Sequence, residues 1–458
     1  MKKILQLNPE IAKYFWLEFS PQRLITMPSL LFLLTLLIYL MSENKEEAMI
    51  AIHYASFYGF IFIGVIWGIK NASDGILDEY NEKTWDWQRR SPVGPWKLAL
   101  GKLFGPTIYN WYGAMICWAI YMYSATYTSE PIQALKTGWI LLPSTIGVHG
   151  LIILIALLLV RKNQGLIKIK SNRTFLYGIL FIILFSGLFS YFNLFRQTST
   201  DILWFGITFS FPDILFLSCI VYSLWIIYGI FRSMRTALQY ENGPMVWLTF
   251  HAFHFLFQYG FFLPENTIID LQAFTKASVL IFLESIFLIY ALALSENKEV
   301  VQFKQYLKEY RKKEYASLFR NIPLWLLTIP LAKVFGLFAL SGVILSGEYT
   351  AIMDLLKSLQ ISDVSFAAGT YVAVLFFMMR DLVVLMLLHI SGRPQRADAT
   401  FILYLLLSYL IIPFLLTGLD MPYLFFPDST HGQVLLIIMP MLEAFLAFYL
   451  LKKKWKFI

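Results

Sequence analysis

The chain has 458 residues, of which 58% are hydrophobic and 17% aromatic but only 14% charged. A soluble domain carries about 25% charged residues, so this shortfall, with a mean hydropathy of +0.63, excludes an ordinary soluble domain and makes lipid the main solvent. The net charge of +8 fits the positive-inside bias of membrane proteins and excludes nothing but a nucleic-acid reading of that charge. Cys117 and Cys219 both lie in apolar runs, which excludes a disulfide framework or a Cys-based metal motif.

The N-terminus, MKKILQLNPEIAKYFWLEF, has no short apolar region followed by a small-residue cleavage site, so it is expected to be retained and cytosolic. Ile4, Leu7, Ile11 and Tyr14 recur at helical spacing between charged residues, which predicts a helix lying on the membrane surface. A bilayer-crossing helix needs roughly 20 mainly apolar residues. By that measure the spans fall at 24–41, 50–69, 103–124, 138–160, 174–195, 202–231, 246–263, 277–294, 322–345, 366–388, 400–417 and 434–451. The expectation is therefore an all-α polytopic membrane protein of about twelve transmembrane helices.

Lys and Arg concentrate in the N-terminus and in loops 70–102, 161–173, 232–235, 298–320, 393–396 and 452–456. The alternate loops hold only Lys45, Lys136, Arg196, Lys276 and Lys357. This alternation predicts an even number of spans with both termini cytosolic; the membrane expected is a bacterial inner membrane. Residues 298–320 place Val300, Phe303, Leu307 and Tyr310 on one face with Lys304, Lys308, Arg311 and Lys312 elsewhere, a second interfacial helix. The order "amphipathic helix, span, acidic outer segment, span" occurs in residues 1–124 and again in 298–417. It suggests two halves, 1–235 and 236–458, the second a degenerate repeat of the first.

Segment 70–102, KNASDGILDEYNEKTWDWQRRSPVGPWKLALGK, is the one long early stretch rich in charge, tryptophan and proline. It reads as a helix, a break at Pro92, Gly94 and Pro95, and a second helix, since proline fixes φ and removes a donor. Trp85 and Trp87 suit a headgroup zone, and Arg89 and Arg90 suit phosphates or a partner's carboxylates. No P-loop is present: Gly101-Lys102 is not followed by Ser or Thr and the glycine spacing is wrong. Any ATP would be hydrolysed by another polypeptide.

Ionisable residues inside spans point to function. The candidates are His53, His149, Asp213, His251, His254, Glu284, Lys333, Arg380, Asp381, His389 and Glu443. Arg380, Asp381 and His389 stand near span ends and read as snorkelling side chains. Glu284 and Lys333 lie deeper and read as partners for each other or for a backbone carbonyl. His251 and His254 share one helix face, as a ligand pair or a catalytic base would, but no third ligand has a recognisable spacing.

In EKTWDWQRRSPVGPWKLALGK, the order of Glu82, Thr84, Ser91-Pro92 and Gly101-Lys102 resembles the permease subunits of ABC-2-type transporters, which carry an acidic segment, a Thr, a Pro-containing turn and a Gly-Lys between their second and third spans. Lys83, where that family often has Gly, and Trp87 depart from the pattern. The resemblance implies a permease without catalytic chemistry or cofactor of its own. Its partner would be a cytosolic ABC ATPase, two copies carrying ATP and Mg, docked on Asp78, Glu79, Glu82, Thr84, Trp87, Arg89, Arg90, Ser91 and Pro92. A homodimer or paired permease, membrane lipid as surroundings and a lipid-like or amphipathic exported cargo complete that expectation. Two other readings stay open: a secondary transporter of 6+6 architecture using Glu284 and Lys333, and a membrane-embedded acyltransferase using His251 or His254.

Overall fold

The computed structural model describes residues 8–90, 92–163, 201–240, 242–265, 267, 269–296, 298, 300–346, 368–391, 394–418 and 433–455. They form two compact units, Met1–Ile202 with Thr208–Asn242, and Leu203–Ile207 with Gly243–Ile458. Among the described residues, eight helices are long and apolar enough to cross a membrane. The chain is thus an α-helical integral membrane protein.

In the first unit, helix α1 (Pro9–Glu18) starts at Asn8, whose side-chain oxygen accepts from the Glu10 and Ile11 amides, with proline in its first turn. Helix α2 (Pro21–Met41) is capped in the same way by Ser20. Helix α3 (Lys45–Phe60) runs through a π-helical segment, Ile61–Trp67, into α4 (Gly68–Asn81), one continuous 37-residue rod. A π segment releases carbonyls from the regular ladder, and here the core supplies donors for them. The Asn110 amide donates to Ile63 O at 3.1 Å, and His149 Nε2 meets Gly64 O at 2.8 Å. Both side chains are fully buried. A Cβ at Gly68 would stand 2.2 Å from His149 Nε2, so only glycine admits this contact.

The insert continues as α5 (Trp85–Arg90) and α6 (Pro95–Phe104), followed by α7 (Ile108–Ser124) and α8 (Pro131–Asn163). After a short hairpin, α9 (Phe211–Ala237) packs along α8, and α3 packs along α7. The core holds Phe60, Ile69, Ile76, Leu103, Ile152, Ile153 and Met234, all at most 1% exposed.

The hairpin corrects the start of the expected span 202–231. Asp201–Trp204 and Ile207–Ser210 are paired strands, and Phe205 and Gly206 have φ of 51° and 73°. Two central residues at positive φ make the tight turn whose twist matches that of the flanking strands. Window hydropathy cannot separate this apolar ten-residue piece from a helix, because strand and helix differ in period and not in content.

In the second unit, α10 (Met245–Phe262) precedes α11 (Leu271–Ser295), which Asp270 caps. Two short helices, α12 (Val300–Arg311) and α13 (Tyr315–Asn321), lead into α14 (Leu324–Ser346), which packs along α11. Helix α15 (Ala368–Ser391) packs along α18 (Gln433–Trp455). Between them α16 (Pro394–Leu406) passes through a second π segment, Leu407–Ile411, into α17 (Ile412–Thr417). The core of this unit centres on Phe282, Ile289, Ala339, Met378, Leu385 and Phe401.

The expected span 174–195 and the acidic outer segment 347–365 lie outside the described residues. The expected spans 103–124, 246–263 and 434–451 fall on α7, α10 and α18, which are not among the eight.

Candidate functional site

The insert is built on a closed ring of four charges. Lys102 on α6 is completely buried, and its ammonium group lies 2.6 Å from Glu10 on α1 and 2.5 Å from Glu79 on α4. Lys13, one turn along α1 from Glu10, closes the ring at 2.9 Å from Glu79 and 3.5 Å from Glu10. The Tyr14 ring lies 4.9 Å from the Lys13 ammonium and 5.7 Å from that of Lys102. Two cations and two carboxylates cancel. That balance lets a lysine sit without exposure, where an unpaired one would cost several kcal/mol.

Local sequence puts these groups within reach. Asn8 caps α1 with its oxygen while its amide donates to Lys97 O on α6 at 2.7 Å. A Cβ at Gly101 would stand 2.5 Å from the Glu10 Cβ, and one at Gly105 would stand 2.5 Å from the Tyr14 ring. The two glycines, four apart and so on one helix face, let α1 lie against α6. Burial alone would raise the Glu10 carboxyl, but the Lys102 and Lys13 ammonium groups more than reverse this and hold it below its ordinary value. Burial would likewise lower Lys13, and Glu79 and then Glu10 reverse that and raise it. Burial, followed by the charges of Glu79 and Glu10, pushes the Tyr14 phenol upward, so it stays neutral.

Helix α4 ends in a Schellman motif. The Thr84 amide donates to Glu79 O at 2.9 Å and the Lys83 amide to Tyr80 O at 3.1 Å. Lys83 takes φ 62°, the left-handed conformation that glycine adopts without strain. The position where the chain carries Lys instead of Gly is therefore the one that turns it. The Thr84 hydroxyl also donates to Glu79 O, and its carbonyl accepts from the Trp87 amide.

Of the residues expected to form a docking face, Asp78, Glu82, Thr84, Trp87, Arg90 and Pro92 are exposed, with Trp87 at 80%. Glu79 is buried in the ring. Trp85 turns inward to the core, so the two tryptophans face opposite ways. Of Arg89 only the helical backbone is described, and Ser91 lies outside the described residues. Lys102 and Glu10, which sequence reading did not place in the site, are the residues that hold it. Gly101-Lys102 was visible as a motif, but nothing local shows that its lysine turns inward.

The intramembrane candidates of the second unit divide differently than expected. Arg380 and Asp381 do not snorkel: they are 5% and 0% exposed. The Asp381 carboxylate accepts from Arg380 Nε at 2.9 Å and from the hydroxyls of Tyr290, Tyr404 and Tyr409 at 2.7, 2.9 and 2.5 Å. Arg380 also donates to the Tyr409 hydroxyl at 3.0 Å and to the Glu443 carboxylate. Four helical rods, α11, α15, α16 with its π segment, and α18, converge on this pair. Glu284 is partnered by His254 at 2.5 Å, not by Lys333, whose side chain is exposed. His251 turns instead to its own backbone, 3.0 Å from Trp247 O. The two imidazoles thus face different partners. Among the described residues no group of three His, Cys, Asp or Glu is placed to hold a metal ion.

The remaining candidates are structural in their contacts. His53 meets the Ser124 hydroxyl at 3.2 Å and stacks on Tyr121, and Asp213 pairs with Lys136 at 2.7 Å. His389 lies 3.5 Å from Asp398, which also faces Lys298 at 3.6 Å. No family model, curated protein or solved structure matches the chain.

Proposed function

We propose that the chain is the membrane subunit of an ATP-binding-cassette exporter of the ABC-2 kind, driven by a separate ATPase that docks on the exposed face of the insert. One observation carries this reading. The charge ring ties α1, α4 and α6 into one body at the base of the insert, while Trp87, Arg90 and Glu82 stay exposed at its tip. A docking element must pass force to the helices it continues into, and a braced base with an exposed tip suits that work. In this reading the chain has about twelve spans with both termini cytosolic in a bacterial inner membrane. It pairs with a second permease or copy, performs no covalent chemistry and moves a lipid-like or amphipathic cargo.

Purification of the full chain from native membranes should bring down a cytosolic ATPase, two copies per complex. Replacing Arg89 and Arg90 with Glu should remove that subunit and its stimulated ATP hydrolysis while leaving membrane insertion intact. Normal coupling in that variant would remove the assignment.

A second reading, an ion-coupled transporter, is favoured by the buried Arg380–Asp381 pair and its partner Glu443, since ionisable residues at membrane depth mark ion pathways. It moves the coupling role away from Glu284 and Lys333. In reconstituted vesicles without nucleotide, Asp381→Asn should then abolish uptake driven by a proton gradient. Absence of any nucleotide-independent uptake by the unaltered chain would discard this reading.

A further inference from the structure

The second unit contains an apolar groove with a basic rim. Helices α12 and α13 fold back on each other at Lys313, which takes φ 61°, and the Tyr306 hydroxyl donates to Asn321 O at 2.9 Å. Their apolar faces, Phe303, Leu307 and Leu318, stand opposite Leu326, Met386 and the last turns of α18, around a cavity of about 480 Å³. That volume lies within the range of about 300–1,000 Å³ usual for small-molecule sites. Leu326 lies in the first turn of α14 and Met386 near the end of α15, two helices long and apolar enough to span a membrane. The groove therefore opens where such spans end, at the depth of the lipid headgroups.

Charge decides what can occupy it. Among the described residues, Lys452 is the one charged residue lining the groove. It is exposed, as are Lys453 and Lys454 beside it and Lys308 and Arg311 on α12. Residues 300–321 carry six cations against two carboxylates, and one of those, Glu309, is buried. A neutral hydrophobe would use the walls and leave this rim idle. The matching segment of a second copy would bring the same positive charge and be repelled. An anionic amphipath satisfies both halves, with its chain against the walls and its phosphate among the ammonium groups.

We propose that this groove is a binding site for one anionic phospholipid, an acyl chain between α12, α13 and α18 and the phosphate at Lys452. The site is independent of the ATPase-docking reading of the insert, and its test uses none of that machinery.

The full chain would be reconstituted into nanodiscs holding equal parts phosphatidylglycerol and phosphatidylcholine, released into detergent, and weighed with its retained lipid by native mass spectrometry. The expected result is one retained phosphatidylglycerol in preference to phosphatidylcholine. Lys452→Glu, on an exposed helix end, should lower that preference at least about fivefold, since losing one surface cation alone is worth roughly 1 kcal/mol. Leu307→Trp, which fills the groove, should abolish retention of either lipid, and Lys45→Glu in the first unit should change nothing. Equal retention of the two lipids by the unaltered chain would overturn the proposal. So would an unchanged preference in Lys452→Glu, or a bound second chain in place of lipid. A Leu307→Trp protein that fails to fold leaves the headgroup comparison and Lys452→Glu to decide.

Discussion

The Lys102 ammonium group meets the Glu79 carboxylate at 2.5 Å, so the two limbs of the insert, 23 residues apart in sequence, are joined at their base. Everything between them, the Lys83 turn, α5 and the Pro92–Pro95 break, is a closed loop carried on that bond. Glu10 and Lys13 extend the bond to α1, which makes the N-terminal helix part of the same device.

Removing one member of a buried ion-pair group leaves the others with one uncompensated charge, which costs about 3–5 kcal/mol. Lys102→Met should therefore lower thermal stability by that order, and protease should cut first within residues 9–18. Glu79→Gln combined with Lys102→Met should be less destabilising than the sum of the two single changes, because the second restores the charge balance that the first upsets. Strict additivity in that double-mutant cycle would show that the pair does not interact.

The ring also sets a pH window. The Glu10 carboxyl is held below its ordinary value of 4.5, so its contribution is present above that pH and is lost as pH falls through the lower folded value. Lys13 is raised above its ordinary 10.5, so its contribution is present below that pH and is lost as pH rises through the higher folded value. Protection factors of the α1 amides, exchange rates taken relative to an unstructured amide at the same pH, should be highest between these limits and should fall first on the acid side. A protection factor that falls through neutral pH would place the holding interaction elsewhere.

Lys83 pays a local strain that glycine would not. A left-handed residue with a Cβ costs roughly 1–2 kcal/mol, of which glycine returns part in lost unfolded-state entropy. Lys83→Gly should stabilise the chain by up to about 1 kcal/mol, and Lys83→Val, whose branched Cβ resists that conformation, should destabilise it. Thermal unfolding of the two variants in detergent should move in opposite directions.

At the other buried charge, Asp381→Asn should cost about 3–5 kcal/mol by leaving Arg380 under-compensated in the core. Tyr409→Phe removes one hydroxyl that both accepts from Arg380 and donates to Asp381, a loss of about 1–3 kcal/mol. Glu443 is 33% exposed through its side chain, so Glu443→Gln should be the mildest of the three. An order with Glu443→Gln the most severe would move the centre of this network from Asp381 to the Arg380–Glu443 contact.

Composition and hydropathy by themselves determined that the chain lives in lipid and where most of its helices lie, since apolar content and helical period are summed over neighbours in sequence. They also marked the break in the insert, because proline and a helix-ending turn act within a few residues. The 201–210 hairpin escaped them, being apolar in content and too short for its two-residue period to stand out. The fate of the charges was a tertiary decision. Lys102 finds Glu10 across 92 residues and Tyr290 finds Asp381 across 91, and no window of sequence records such a distance. The same physics that makes a lone buried charge costly makes its partner indispensable. That is why the insert's fixed base became visible only when three helices were brought together around one lysine.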